Sequence, residues 1–423
     1  METIDYGKFS QAMHRKMFAA GLPLSGTIEV TRRCPLTCAH CYNNLPMGDR
    51  EAAQRELSFD EHCRLLDELA EAGCLWLLYT GGEIFARRDF IDIYSYARHR
   101  GLLITLFTNG TLITPTLADR LVEERPFAIE ITLYGRTRET YERLTGIPGS
   151  YDRCMRGIHL LRERGLPLSL KTVAVTINKH EVFAMQQFAE DELGVPFKFD
   201  AMMNPRLDCS QAPLGVRLTP EECVAFDVAD SRRMDEWTTF GKRAPVAAAS
   251  VGPTEDLYGC GGGISSFAIN PYGELSICTL SQKDLYDLRS GSFVDGWSSF
   301  LHTVRSRKIT RPTKCTTCRL KEMCGMCPAN GELENGDAET PVDFLCRTAH
   351  LRAYTFGFPV AAHGECEYCP GGSRHDEVMA ASARLASGSP PAVGTLPRLL
   401  PMLSAGASAP SCGSGGCSSC GTH

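Results

Sequence analysis

Residues 31–42 read TRRCPLTCAHCY, and the spacing of Cys34, Cys38 and Cys41 within them, Cys-x3-Cys-x2-Cys, decides how the rest of the chain is read. The short β-branched run Thr27–Val30 precedes them, so the three cysteines belong to a loop leaving a strand. An iron–sulfur cubane normally takes four thiolates. Three in one tight loop, with no fourth nearby, leave one iron open to a small molecule. A zinc ion would need a fourth protein ligand, and the next cysteine, Cys63, falls inside a helical stretch.

Outward from this loop, short apolar or β-branched runs alternate with helical patterns. The candidate strands are Thr27–Val30, Leu75–Tyr79, Leu103–Phe107, Ala128–Leu133, Ser169–Thr176 and Phe197–Asp200. Helical stretches over Asp60–Ala72, Phe90–His99 and Ser150–Arg164 lie between them. The first has Ser58 as N-cap and Glu61 three residues on, a capping-box pattern. Such alternation implies parallel β-α units, and about six of them make an α/β fold of the partial (β/α)6, TIM-like barrel kind. A doubly wound sheet is the structural alternative. Residues 3–20 read as an amphipathic helix. We therefore expect a lead-in over 1–24 and the barrel over 25–235. A small cysteine-rich domain over 236–350 and a Gly/Ser/Ala/Pro-rich, partly disordered extension over 351–423 follow.

Composition narrows the function classes. The net charge of −6 offers no basic footprint for nucleic acid. No apolar run is long enough to span a membrane and the N-terminus lacks a signal peptide, which points to the cytoplasm. In a reducing compartment the 20 cysteines are not a disulfide framework. Isolated ones such as Cys63, Cys74 and Cys154 read as small buried hydrophobes, whereas the close-spaced groups read as metal ligands.

The cysteine loop resembles the signature of the radical SAM superfamily, in which it follows the first barrel strand. A second element supports the resemblance: Leu78-Tyr-Thr-Gly-Gly-Glu83 ends the second candidate strand and is similar to the family's Gly-Gly-Glu motif. The resemblance implies a SAM-binding 4Fe-4S cluster on Cys34, Cys38 and Cys41, with S-adenosylmethionine at its open iron. His40 takes the place of the aromatic residue that contacts adenine. Gly81 and Gly82 let the backbone approach the ligand, and Glu83 supplies an anion for the amino group. Asn109 at the third strand end, and Thr132 at the fourth as a hydroxyl donor, complete the implied cofactor site. An arginine frequent in the family before the Gly146–Asp152 segment is Thr145 here, which leaves the SAM carboxylate contact unassigned.

The later cysteines are patterned too: Cys260-x12-Gly273-x4-Cys278, then Cys315-x2-Cys318-x5-Cys324-x2-Cys327, then Cys346. A zinc ribbon needs about 12–20 residues between its Cys-x2-Cys pairs, so this spacing is too short. The pattern resembles the SPASM domain of radical SAM maturases. Carried over, the resemblance puts two auxiliary 4Fe-4S clusters here, the outer on Cys315, Cys318, Cys324 and Cys346 and the inner on Cys260, Cys278 and Cys327. A further cysteine that some relatives have is Thr254 here, so the inner cluster is one ligand short, with Cys209 and Cys223 as guesses.

The resemblance further implies a radical SAM oxidoreductase of the peptide-maturase type, which installs a thioether or carbon–carbon crosslink in a ribosomally made peptide. Thr279, where sulfatase-maturing relatives have an aspartate base, argues against that branch. About 25 residues precede the first strand, too few for a fused leader-binding domain, so recognition of a ribosomal peptide is expected to need either a separate leader-peptide-binding protein or the SPASM surface itself. A ferredoxin- or flavodoxin-type donor would supply electrons. No single residue stands out as the catalytic group. Asp200, Asn204 and Arg206 are candidate substrate contacts, since ligands sit beyond the carboxyl ends of parallel strands. The two alternatives are a radical SAM enzyme acting on a small molecule or cofactor precursor, and a non-catalytic electron carrier. Cys366, Cys369, Cys412, Cys417 and Cys420 remain unassigned; metal binding, completion of the inner cluster, a resolving thiol and substrate mimicry are all open.

Overall fold

In the computed structural model, residues 6–248 and 255–387 are described, and they group into two units. The first holds residues 1–207, 212–217 and 258–307, and the second residues 208–211, 218–257 and 308–423. Thr254, Cys412, Cys417 and Cys420 lie outside the described residues.

The first unit is built on nine strands: β1 (Ser25–Thr31), β2 (Trp76–Gly81), β3 (Leu103–Thr108), β4 (Ala128–Thr132), β5 (Leu168–Val173), β6 (Phe197–Asp200), β7 (Ser266–Ile269), β8 (Glu274–Ser276) and β9 (Tyr286–Asp287). The first six follow one another in sheet order and pair in parallel, each joined to the next by a helical crossover. This is the expected α/β core. Two of the sequence-read boundaries coincide with the observed ones, Phe90–His99 and Phe197–Asp200, and the others move by one to three residues. The helix Phe59–Glu71 starts with the reciprocal Ser58/Glu61 capping box, a device that contributes about 1 kcal/mol.

The sheet grows on its other side as well. Strand β7 pairs in parallel with β1, and β8 and β9 follow antiparallel. Residues 258–307, which composition grouped with the cysteine-rich module, thus extend the barrel sheet. The boundaries drawn at 235/236 and 350/351 fall inside the helices Ser231–Ala248 and Asp343–Thr355. The clean β-α rhythm is lost there because three short strands carry too few residues to show a period.

Burial alternates along β2–β5, so the two faces of the sheet differ. Leu77, Tyr79, Ile104, Leu106, Ile129, Ile131 and Leu170 are buried on one face. The residues between them stay half-open, and register places Glu29, Thr80, Phe107, Glu130, Thr132, Lys171 and Lys198 on that second face. Parallel sheets normally cover both faces with apolar side chains. A half-open face carrying Glu130 and two lysines, next to buried Glu29, is therefore where ligand chemistry belongs.

The second unit is helical. Asp343–Thr355 packs against Pro220–Ala229 and against His375–Ala386, and the last pair encloses a core of Leu351, Tyr368, Val378, Ala381 and Leu385. Its second core gathers Leu320, Met323, Ala349, Ala353 and Phe358 around Cys318 and Cys324.

Candidate active site and cysteine centres

The cysteine loop leaves the end of β1 and is held from several directions. Thr37 and Ala39 donate their backbone N–H groups to Thr145 and Leu144, at 2.9 and 3.0 Å. Arg206 donates to the Cys41 carbonyl at 3.2 Å and to Asn44 at 2.9 and 3.1 Å. Arg33 forms a bidentate pair with Glu56 at 2.8 and 2.9 Å. Buried Glu29 accepts from Asn43, Arg32 and Tyr42, and burial raises its pKa despite those partners. Arg206, a candidate substrate contact from sequence, is thus a clamp on the loop. Thr145, which stands where the family often has arginine, is a strut: its carbonyl holds Thr37, and its hydroxyl hydrogen-bonds Ser150 at 2.8 Å.

The three thiols sit in a dry setting. Burial, and after it the charge of Glu83, pushes Cys34 up to about 12. Burial and the other two sulfurs push Cys38 well above the thiol range, and burial raises Cys41. Cys34 accepts from the Leu36 N–H at 3.4 Å and from Asn109 Nδ2 at 3.5 Å. Tyr134 hydrogen-bonds Cys38. Thiols that raise one another's pKa fit a polycation, since metal ligation deprotonates them and relieves their repulsion. His40 adds a second sign of a missing group. Burial holds its ring neutral with a pKa near 4, it leans on Tyr134 at 5.3 Å, and its Nδ1 is buried without a hydrogen-bond partner. A buried polar atom left unpaired in the apoprotein is one that a ligand can satisfy.

Gly81 and Gly82 are needed for backbone contact. Gly81 has φ +138°, and a Cβ there would lie 2.1 Å from the Thr31 carbonyl oxygen; one on Gly82 would lie 2.4 Å from that of Arg32. The strand end that carries Glu83 is thereby laid directly on the strand end that carries the cysteines. Glu83 is buried, and its carboxylate accepts from Thr108 Oγ1 at 2.7 Å, Asn109 N at 2.8 Å and Phe85 N at 3.2 Å. Burial outweighs those bonds and lifts its pKa to about 7. The side chain of Asn109 is turned to Cys34 and Thr111. Thr132 ends β4 in register with Lys171.

Sequence reading passed over the charges on the half-open face. Glu130 pairs with Lys171 at 3.2 Å and with Lys198 at 2.7 Å, and Lys171 lies against the ring of Phe107. Burial lowers the Lys171 pKa to about 7, against the pull of Glu130. The available signal was a lone charged residue inside each of β4 and β5, Glu130 and Lys171, followed by Lys198 in β6. Of the cysteines taken as core, Cys74 and Cys154 are buried and pushed up to about 12 by that burial, while Cys63 is half-buried.

The later cysteines divide between the units. Cys260 and Cys278 belong to the first, where Cys260 is exposed and accepts from Arg305 at 3.8 Å. Cys315, Cys318, Cys324, Cys327 and Cys346 belong to the second. Cys315 and Cys324 are pushed up mainly by burial, and Cys324 by the neighbouring Cys315 and Cys318 as well. Cys223 is fully buried in the helix Pro220–Ala229, and Cys209 has φ +64°. No disulfide joins any described cysteine.

Comparison with known proteins fits this geometry. The Radical SAM superfamily model matches residues 28–189. The PqqA peptide cyclase of Rhodopseudomonas palustris is 32% identical over 353 residues, covering 79% of this chain and 90% of that protein. The AdoMet-dependent heme synthase of Nitratidesulfovibrio vulgaris is 26% identical over 333 residues, covering 74% and 90%. Among solved structures, Streptococcus suis SuiB bound to S-adenosylmethionine superposes with a TM-score of 0.58 over 82% of each chain, at 17% identity. No helix among the described residues is long and apolar enough to cross a membrane.

Proposed function

Because the chain belongs to the radical SAM superfamily and is a radical SAM enzyme, we propose that it is a peptide maturase that installs a crosslink in a ribosomally made peptide. Cys34, Cys38 and Cys41 would hold the SAM-binding cluster, with His40, Gly81, Gly82, Glu83, Asn109 and Thr132 around the SAM. When bound, these groups supply a 5′-deoxyadenosyl radical that removes a hydrogen atom from a C–H bond. The protein's part is to fix the loop through Arg206, Thr145 and Glu29, to exclude water, and to orient the substrate.

The observation that carries the reading is the charged face of β4–β6, where Glu130 meets Lys171 and Lys198. A crosslink removes two hydrogens from the peptide, one as an atom and one as a proton with an electron. A lysine poised near neutrality is suited to accept that proton, and Lys171 is such a group. The electron needs a cluster-type acceptor, the role we assign to the second cysteine set. Similarity to a peptide cyclase over most of both chains supports a peptide substrate. A partner protein for the leader, a ferredoxin- or flavodoxin-type donor and a cytoplasmic setting complete the proposal.

A second reading, a haem-synthase-like enzyme acting on a small cofactor precursor, is favoured by the 26% identical relative and by Lys171 and Lys198 as cations for substrate carboxylates. One experiment separates the two. Anaerobically reconstituted protein should carry about twelve irons and release 5′-deoxyadenosine with dithionite and SAM. It is then offered short precursor peptides and, separately, iron coproporphyrin, and the products are weighed by mass spectrometry. A peptide lighter by two hydrogens supports the maturase; turnover of the porphyrin alone overturns it. About four irons with deoxyadenosine release would remove the auxiliary clusters and keep the SAM chemistry.

A further inference from the structure

Beyond the cysteines assigned above, the second unit gathers His350, His363, Cys366 and Cys369, whose ligand atoms all lie within 4.8 Å of one another. Among the described residues this is the one group of three or more such side chains to close so tightly. His350 Nε2 stands 3.4 Å from Cys369 Sγ and 3.5 Å from Cys366 Sγ. Of His363, Nδ1 stands 3.2 Å and Nε2 3.9 Å from Cys369 Sγ, and Nδ1 also lies 3.1 Å from the Ala361 carbonyl. Ligands at the ordinary Zn–N and Zn–S lengths on a tetrahedron are about 3.5 Å apart, nitrogen to sulfur. We propose that His350, His363, Cys366 and Cys369 form a closed, mononuclear zinc site that shares no ligand with the iron–sulfur centres of this chain. It adjoins the outer set, since Cys366 hydrogen-bonds Cys346 and His363 hydrogen-bonds Cys318.

The local chain is shaped for it. Cys366 N bonds the His363 carbonyl, Cys369 N that of Cys366, and Gly372 N that of Cys369, at 3.3, 3.4 and 2.8 Å. Three consecutive turns of equal length bring residues 363, 366 and 369 to one side. The fourth ligand comes from the helix Asp343–Thr355, and the His350 ring is oriented there. Its Nδ1 lies 2.8 Å from the Cys346 carbonyl and donates to it, which leaves Nε2 as the ligating atom. Metal-binding histidines are characteristically fixed by such a bond to a backbone carbonyl. His350, Cys366 and Cys369 are buried, and the two imidazoles stack with centroids 5.9 Å apart.

The donor set and distances also select the metal. Two histidines and two cysteines are the ligands of a Rieske-type cluster, but there the cysteines bind one iron and the histidines the other. That separation does not fit the nitrogen–sulfur contacts of 3.2–3.5 Å seen here, whereas one ion between all four does. Four protein ligands in a buried tetrahedron leave no open position, so the site is structural. It staples residues 363–372 and the helix His375–Ala386 to the helix Asp343–Thr355. That last helix also carries Cys346, one turn before His350, so the staple braces a helix to which we assign an outer-cluster ligand. The zinc assignment does not depend on the identity of the substrate.

The test is metal analysis of the full chain grown with zinc and iron, purified without oxygen and reconstituted. About one zinc per chain is expected beside the iron, with a zinc K-edge absorption spectrum that fits two nitrogens and two sulfurs. The doubly substituted Cys366→Ser/Cys369→Ser chain should drop at least tenfold in zinc and keep its iron. A wild-type chain without zinc, or a zinc shell of four sulfurs, overturns the site. So does a double variant that loses about four irons, since its thiolates would then belong to an iron–sulfur cluster. The wild-type spectrum decides by itself if the variant fails to fold.

Discussion

Two cysteine-bearing loops of this protein, residues 34–41 in the first unit and 363–369 in the second, are built on opposite plans. In the second, nitrogen and sulfur ligands converge on one point and complete each other. In the first, three sulfurs are held by contacts made to the loop around them: Arg206 on a carbonyl, Thr145 on a backbone N–H, Asn109 on Cys34. A closed set stabilises a fold, whereas an open set needs an outside frame because its remaining position belongs to a reactant. The same chemical group, a thiol, thus serves stability in one place and reaction in the other, and the number of protein ligands around it decides which.

The largest effect should come from the open loop. Cys34→Ala is expected to abolish deoxyadenosine release, at least a thousandfold, and to remove about four irons per chain while the zinc content stays unchanged. Metal analysis with a deoxyadenosine assay checks both halves. Concerted loss of zinc and iron would break the contrast between the two loops.

Next comes the charged face of β4–β6. Lys171 titrates near 7 because burial disfavours its ammonium, so its neutral, proton-accepting form dominates above that pH. Crosslinking should therefore rise through pH 7, and Lys171→Met should slow it about a hundredfold and erase that limb of the profile. Substrate-free deoxyadenosine release should change little. If both activities fall together, Lys171 is positioning the cofactor and not serving the substrate.

Arg206 tests the frame itself. Replacing it with Met removes the bonds to the Cys41 carbonyl and Asn44. The cluster should survive reconstitution but be lost to a chelator about tenfold faster, followed by its visible absorbance, in line with the usual cost of removing an outer partner of a metal ligand. An unchanged rate would mean that Thr145 and Glu29 hold the loop alone.

How much of this was legible in the sequence follows from range. The cysteine loop, the Gly-Gly-Glu strand end and the parallel β-α order are local patterns, and the β-α order came through with boundaries shifted by a few residues. The frame did not, because Arg206 to Asn44 and Arg33 to Glu56 join residues far apart in the chain. Strand β7 escaped notice because its partner β1 lies more than 200 residues upstream. Cys366-x2-Cys369 was visible as a pair, but nothing in the sequence named His350 and His363 as its partners. They stand 16 and 3 residues before Cys366, at separations that only the turn of the chain after the helix Asp343–Thr355 reconciles.

A last effect, on stability rather than on reaction, concerns the apoprotein and the carboxyl group of Glu83. Its folded pKa of about 7 lies above the value of roughly 4.3 expected unfolded, so folding takes up a proton. The stability tied to that proton is fully present below the unfolded pKa and is lost as pH rises to about 7. Glu83→Gln cannot lose it. Relative to wild type, the variant should gain stability between about pH 4.3 and 7, on the order of 3 kcal/mol in total, and no more beyond. His40 and His62, held near 4 and 3 by burial, pull the other way over much of this range, so the measurement is the difference in melting temperature between variant and wild type at each pH. A flat difference would mean that Glu83 is ionised throughout and its site is wet. A rising one would identify a carboxyl that is costly to ionise until a cation arrives. SAM, with its ammonium and sulfonium, should then stabilise wild type more than the variant, whereas added zinc, bound at the closed site, should favour neither.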